Sequence, residues 1–418
     1  MQGWDWNNGK KVVADVAEIR QQYPDIQEFA VSLDGEKIAA TVMSGEDEFT
    51  ALVNGELWPA VFEKLWYLRY LPDGRLTGLV RIDDQWTLVV DKEPWEERFE
   101  FAWSPKVSDN GETIAMLFKS DMTFGIAMNG KAWEGHFLSI RDYTLSPDGK
   151  HAAATVQVEA LKEADIFGFF EGVWSVAVDG KAWDEKFVNT WNPCFNSDGS
   201  SVAAEIRTDI CEYSIAENGK AWSERFGCVW QPVFNPNNSA IVAPVRISGM
   251  WTLAENGKPL WKRRYTQLWN QKFSPDGSRI VAIVAPEFGR WTIAVDDAPW
   301  KSLFKEMVLT PVFSPDSKRV AAVVKEDNRY SIAVDDLPWN EGFDMIWDPV
   351  FSPCSGHVLA RAEKGGKFYL VVNGKQYGSS FEMLWDPGFS PEGDKVLLRF
   401  FEDGRYCRQV LPLNEILG

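Results

Sequence analysis

An all-β fold of about ten four-stranded units in one continuous array is predicted from three features of the sequence. A stretch of about 38 residues, Gln267 to Phe304, recurs in variant form along most of the 418-residue chain. Most copies carry two tight-turn signals, one of the type Ser-Pro-Asp-Gly and a later Asn-Gly or Asp-Gly. Short β-branched runs such as Ile280-Val-Ala-Ile-Val and Val320-Ala-Ala-Val-Val lie between the turns, and no long amphipathic helix is evident. Self-similarity at a fixed period sets the architecture first and makes each local motif part of a building block.

Residues 1–26 precede the repeat, and residues 27–418 carry it. The first turn is written Leu33-Asp-Gly, Pro72-Asp-Gly, Pro147-Asp-Gly, Ser197-Asp-Gly and Pro275-Asp-Gly. Proline holds φ near −65° and glycine accepts positive φ, so the chain reverses tightly. Abundant Asp at these turns has a structural reason, because its side chain bonds nearby backbone. The second turn is Asn54-Gly, Asn129-Gly, Asp179-Gly, Asn218-Gly, Asn256-Gly and Asn373-Gly, a strong hairpin signal. After it come Trp and Phe, as in Trp133 and Phe137, marking a short fourth strand. Four antiparallel strands repeated in line make a β-propeller blade. Uniform spacing favours a single array of ten, and two smaller propellers are the alternative. The tenth copy, from Trp385, lacks the closing Trp and Phe. Lys10 to Ile19, readable as strand or helix, is a candidate for its missing outer strand.

One copy is irregular. Gly149 and Gly199 lie 50 positions apart, against about 38 to 40 elsewhere. The excess, residues 159–172, falls between the second and third strands and contains Ile166, Phe167, Phe169 and Phe170. Four large apolar side chains in a loop that should be polar mark a candidate partner-binding surface. The alternative is that the loop folds down and buries them.

Charge and motifs narrow the function. A net charge of −18 repels phosphate backbones and anionic lipid, so nucleic acid and direct membrane insertion are not expected. The five cysteines and three histidines have no metal or haem spacing, and no metal or cofactor is expected. No nucleophile elbow, zinc motif or phosphate-binding loop is present, so no catalytic residue is assigned. The N-terminus has no apolar stretch behind a basic one, and a cytoplasmic location is expected.

Nineteen of the 21 tryptophans fall in three columns of the repeat. One precedes the first turn (Trp66, Trp103, Trp191, Trp230, Trp269, Trp347, Trp385), one opens the third strand (Trp86, Trp174, Trp251, Trp291), and one follows the second turn (Trp58, Trp95, Trp133, Trp183, Trp222, Trp261, Trp300, Trp339). Recurrence once per copy points to packing between blades, with each indole N–H finding a partner. A stacking surface for carbohydrate or peptide is the alternative.

Phe-Ser-Pro-Asp-Gly followed by Ile/Val-Ala, as at Phe273 to Ala282, resembles the WD40-like, TolB-type β-propeller repeat over roughly residues 28–410. The tryptophan wealth also resembles the tryptophan-rich cytoplasmic subunits of the Tmc transmembrane redox complexes of sulfate-reducing bacteria. That resemblance implies a cofactor-free, non-catalytic accessory subunit of a membrane-bound electron-transfer complex. Its partners would be an iron–sulfur subunit, a membrane cytochrome b subunit and a multihaem cytochrome c. A propeller enzyme or a carbohydrate- or peptide-binding module is the runner-up.

Overall fold

A computed structural model describes residues 3–26, 28–163 and 165–417. The strands form ten antiparallel sheets, each with a four-strand path in the order A, B, C, D. In blade 7 these strands are Gln267–Phe273, Ile280–Glu287, Arg290–Val295 and Ala298–Pro299. The fold class is a β-propeller of ten four-stranded blades.

The chain divides into two compact units of five blades. Residues 1–94 and 301–418 form one, with blades 1, 2, 8, 9 and 10, and residues 95–300 form the other, with blades 3 to 7. Two propellers in series would each use a continuous stretch. The first unit instead draws on both ends of the chain.

Each strand's composition follows from its place. Strand B is flanked by strands A and C and covered on both faces, so it reads as a continuous apolar run. Ile280 to Ala285 are all buried. Strand D is an edge of two residues in blades 1 to 8, written with Lys, Glu or Pro, as in Lys181–Ala182 and Lys258–Pro259. Short edges bearing charge or proline resist pairing with other chains.

The C–D turn is the most regular joint. Asn54, Asn129 and Asn256 have φ of 49°, 46° and 47°, with glycine following at positive φ. This is the conformation a two-residue hairpin needs, and Asn tolerates it. In blades 1 to 9 the same Asn or Asp also accepts the N–H of the first residue of strand B. Ile38 to Asn54 is 2.8 Å and Ile280 to Asp296 is 2.8 Å. In blade 9 the turn glycine has a further role, because a Cβ on Gly374 would lie 2.8 Å from Cγ of Trp339 in blade 8.

The Ser-Pro-Asp-Gly turn is locked by side chains. Ser274 Oγ donates to Asp276 at 2.6 Å and accepts the Arg279 N–H at 3.0 Å. Asp276 also accepts the Ser278 N–H at 3.0 Å.

Blade 10 takes its outer strand from the other end of the chain. Gly9–Asp15 pairs antiparallel with Arg405–Pro412 from Gly9↔Val410 to Asp15↔Arg405. Helix α1 (Val16–Gln22) follows it, capped by Asp15, which accepts the Glu18 N–H at 2.9 Å. Val16 and Ile19 pack with Ile38 and Val42 of blade 1 and Phe401 and Tyr406 of blade 10. Helix α2 (Ile166–Glu171) lies between strands B and C of blade 4, and α3 (Leu413–Leu417) ends the described chain.

Candidate functional site

The insertion in blade 4 is a short helix as well as a loop. Asp165 accepts the Gly168 N–H at 2.8 Å, and Gly172, at φ 100°, ends the turn. Phe169 and Phe170 are half-buried and meet edge to face with centroids 5.4 Å apart. Phe167 is 85% exposed and Ile166 64% exposed. No residue of α2 is buried. Of the four candidate partner residues, two pack on each other and two face water.

The tryptophan columns divide the same way. Trp58, Trp133 and Trp261 after the second turn, and Trp86, Trp174 and Trp251 on strand C, are buried. None of the strand A tryptophans is buried, and Trp66 is 48% exposed. Full burial covers the first six, while Trp95, Trp183, Trp222, Trp291, Trp300 and Trp339 of the same two columns are half-buried, as most strand A tryptophans are. The expectation that every buried indole N–H finds a partner also fails, since Nε1 of Trp133 is buried and unbonded.

The cause is a bulge in strand A that the repeat pattern does not announce. The register slips between Trp66 and Arg69, Trp103 and Lys106, Trp191 and Cys194, and Trp269 and Lys272. The residue after each of these tryptophans has positive φ, as at Tyr67 (55°) and Asn192 (49°). A bulge bends the strand and re-aims its side chains. In three of these blades the strand B residue opposite the tryptophan is apolar: Leu79, Leu117 and Ile283. In blade 5 it is Glu205, and the equivalent positions of blades 9 and 10 hold Arg361 and Arg399.

Glu205 is 5% exposed, and Asn192 Nδ2 donates to it at 2.6 Å. Asp142 in turn accepts the Asn192 N–H at 2.6 Å. Burial pushes the Glu205 carboxyl up to about 7, against the opposing Asn192 bond. Burial likewise pushes the neighbouring Cys194 thiol up to about 12, so it behaves as a small hydrophobe.

A cavity of about 870 Å³ in the first unit lies where blades 1, 2 and 10 meet the segment after α1. Its walls are mixed: Phe29, Leu65, Trp66 and Trp385 are apolar or aromatic, and Asp25, Glu28, Asp386 and Arg69 are charged. Trp66 packs on Trp86 at a tilt of 37° with centroids 4.6 Å apart, and Trp385 meets Phe401 edge to face at 5.0 Å. Arg399 also lines it, 9% exposed. Its Nη1 donates to the Ser32 carbonyl at 3.1 Å and its Nη2 to the Asp386 carbonyl at 2.7 Å, while its Nε is buried without a partner. The Asp386 carboxylate lies 3.2 Å from Arg361 Nε. Tyr70 lines the same cavity, and its hydroxyl is buried and unbonded. Burial raises the Tyr70 pKa and lowers that of Arg399. Sequence reasoning missed both residues. The available signal for Arg399 was a charge in a strand B column otherwise mostly apolar.

Among the described residues no three His, Cys, Asp or Glu side chains come together to hold a metal ion. Among them, too, no helix is long and apolar enough to cross a membrane.

No family model and no curated protein matches the chain. Solved structures align loosely. A crystal structure of a eukaryotic initiation factor has TM-score 0.48 and 14% identity over 79% of this chain and 90% of its own. A putative TolB from Agrobacterium tumefaciens has TM-score 0.27 and 18% identity over 43% and 72%. The Dos1 propeller has TM-score 0.37 and 11% identity over 97% and 95%. The fold is that of a β-propeller. This rests on the strand order of the ten blades, and the alignments add nothing about chemistry.

Proposed function

We propose that the chain is a non-catalytic protein-interaction subunit that docks through the blade 4 insertion. The propeller fold is commonly an interaction scaffold. The observation that carries the reading is Phe167, 85% exposed beside an exposed Ile166 on a helix none of whose residues is buried. A phenylalanine held in water gains about 1.5–3 kcal/mol when a partner covers it. A capped helix presents it with less ordering cost than a free loop.

The partner we assign is a subunit of a membrane-bound electron-transfer complex, the iron–sulfur subunit or the membrane cytochrome b subunit. Its support is the tryptophan-rich repeat, 21 tryptophans in 418 residues, shared with the cytoplasmic subunits that the sequence resembles.

The test is affinity capture from the native host with wild type and with Ile166→Ser/Phe167→Ser, comparing thermal melts in parallel. The variant should melt like wild type and lose its partners. Haem and iron–sulfur absorbance should accompany the wild type alone. Identical capture by the variant overturns the docking site, and capture without those chromophores overturns the redox assignment.

A further inference from the structure

We propose that the second unit, residues 95–300, rests on a lipid surface of zwitterionic headgroups through apolar side chains at the tips of its B–C hairpins.

Position is the first argument. The A–B turns of this unit join in a row. Asn110 Nδ2 donates to the Asp148 carbonyl at 2.8 Å, Ser197 Oγ to the Pro236 carbonyl at 3.2 Å and Asn237 Nδ2 to the Asp276 carbonyl at 2.5 Å. These bonds link blade 3 to 4, 5 to 6 and 6 to 7. A Cβ on Gly199 of blade 5 would lie 3.2 Å from Ser146 Cβ of blade 4. Every strand B leaves that row, so the B–C tips share the opposite end of the unit. Blade 3 places Met122 there, blade 4 helix α2, blade 5 Ile210 and blade 7 Phe288, while blade 6 has Ser248 and Gly249. Met122 is 75% exposed, Ile210 59% and Phe288 89%. With Ile166 and Phe167 of α2, they are all the large apolar side chains more than half exposed among the described residues of this unit. In the first unit the same tips are polar or glycine, as with Asp83 and Asp84 or Gly365 and Gly366.

The second argument is backbone conformation. Met122 has φ 64°, where blades 2 and 8 place Asp84 at 62° and Asn328 at 59°. Asp and Asn tolerate that region, and a long apolar residue does not favour it. No packing inside the fold accounts for the choice, because the side chain is exposed. A strained residue of this kind points to function.

The third is what can cover such a face. Each tip is a lone apolar side chain between polar neighbours, such as Asp121 and Thr123 beside Met122. A protein interface buries a continuous core, which separated tips do not form. A lipid interface is fluid and takes up isolated apolar side chains to a shallow depth without shaped pockets. Charge selects the headgroup. Arg207 donates to the carbonyls of Asp209 at 2.9 Å and Ile210 at 2.7 Å, and Arg246 to that of Gly249 at 3.2 Å. Asp121, Asp209, Glu212 and Glu287 stand at the same level, and Lys119 is paired with Glu100. Charges of both signs match a phosphate and an amine in one headgroup, whereas the net charge of −18 opposes an anionic surface. Helix α2 stands at the same end, so a membrane-bound partner that covers Phe167 would lie beside these tips. The inference rests on the docking reading for α2 alone.

The test is co-flotation of the purified full chain, without any partner, with phosphatidylcholine vesicles and with vesicles of equal phosphatidylcholine and phosphatidylglycerol. Wild type should float with phosphatidylcholine and less with the mixture. Met122→Asn/Ile210→Ser/Phe288→Ser should lower partitioning at least about tenfold, because partitioning scales with the apolar area buried. All three positions are exposed and Asn suits the Met122 backbone, so this variant should melt like wild type. Absence of wild-type flotation at millimolar lipid overturns the proposal. So does equal flotation by the variant, or stronger binding to the mixture. A variant that loses partner capture while wild type ignores vesicles assigns the tips to a protein instead. Ile166→Ser/Phe167→Ser tests the docking reading separately. If that variant keeps its partners while the tip variant loses vesicles, the docking site fails and the lipid surface stands.

Discussion

Two regions of each blade follow different rules. The C–D hairpin repeats nearly unchanged. From blade 1 to blade 9 its first turn residue accepts the first N–H of strand B at 2.8 to 3.0 Å. Strand A varies. It is bulged in most of blades 2 to 7, and in blades 8, 9 and 10 its pairing to strand B is split into two short pieces. The C–D side buries half of its tryptophans fully and the rest in part, while on the A side none is fully buried and strand B carries Glu205, Arg361 and Arg399. Packing between blades needs one geometry repeated, so that side is uniform. The A side is free of that demand, and the individual chemistry collects there.

The comparison can be broken most severely at blade 10, where the outer strand is borrowed. Deleting residues 3–15 removes the whole pairing of Gly9–Asp15 with Arg405–Pro412 and exposes a long strand edge. The expected loss is about 4 kcal/mol or more, at the upper end for local changes. Chemical denaturation measures it, and an unchanged midpoint would show that blade 10 stands without its outer strand.

Trp133→Ala and Trp230→Ala test the two sides directly. Trp133 is buried on the D side, and its loss should cost about 3–5 kcal/mol, as for large aromatic truncations in cores. Trp230 is exposed on the A side, although it stacks on Trp251 at 5.4 Å, and should cost about 1 kcal/mol or less. Equal losses would erase the distinction.

The smallest effect is a pH dependence at Glu205. Its carboxyl is raised from an ordinary 4.5 to about 7 by burial, so the folded state prefers the neutral acid. That contribution is fully present below pH 4.5 and is lost as pH rises through 7. Relative to Glu205→Gln, wild type should weaken by about 2–3 kcal/mol across that window. Parallel stability curves for the two proteins from pH 4.5 to 8 would mean that the carboxylate is well solvated.

Turn chemistry and strand pattern made the blades legible. Asn-Gly and Pro-Asp-Gly allow few backbone paths, and β-branched runs between them read as strands. The four apolar residues of the insertion were legible as a departure from period, though not as a capped helix with Phe167 outward and Phe169 against Phe170. The bulge was not legible. Residues as different as Tyr67, Ser104, Asn192 and Asn270 all take positive φ there, so no single residue type signals it.

The sequence by itself determined a repeated, all-β, acidic, tryptophan-rich chain, because those properties follow from local rules that every copy obeys. Only the tertiary structure decided which tryptophans are core, which end of the chain completes blade 10, and that Arg399 and Tyr70 share one cavity. Those outcomes depend on burial and on pairs such as Tyr406 and Gly35, whose hydrogen bond spans 371 positions of sequence. No window of local sequence contains both partners of such a pair.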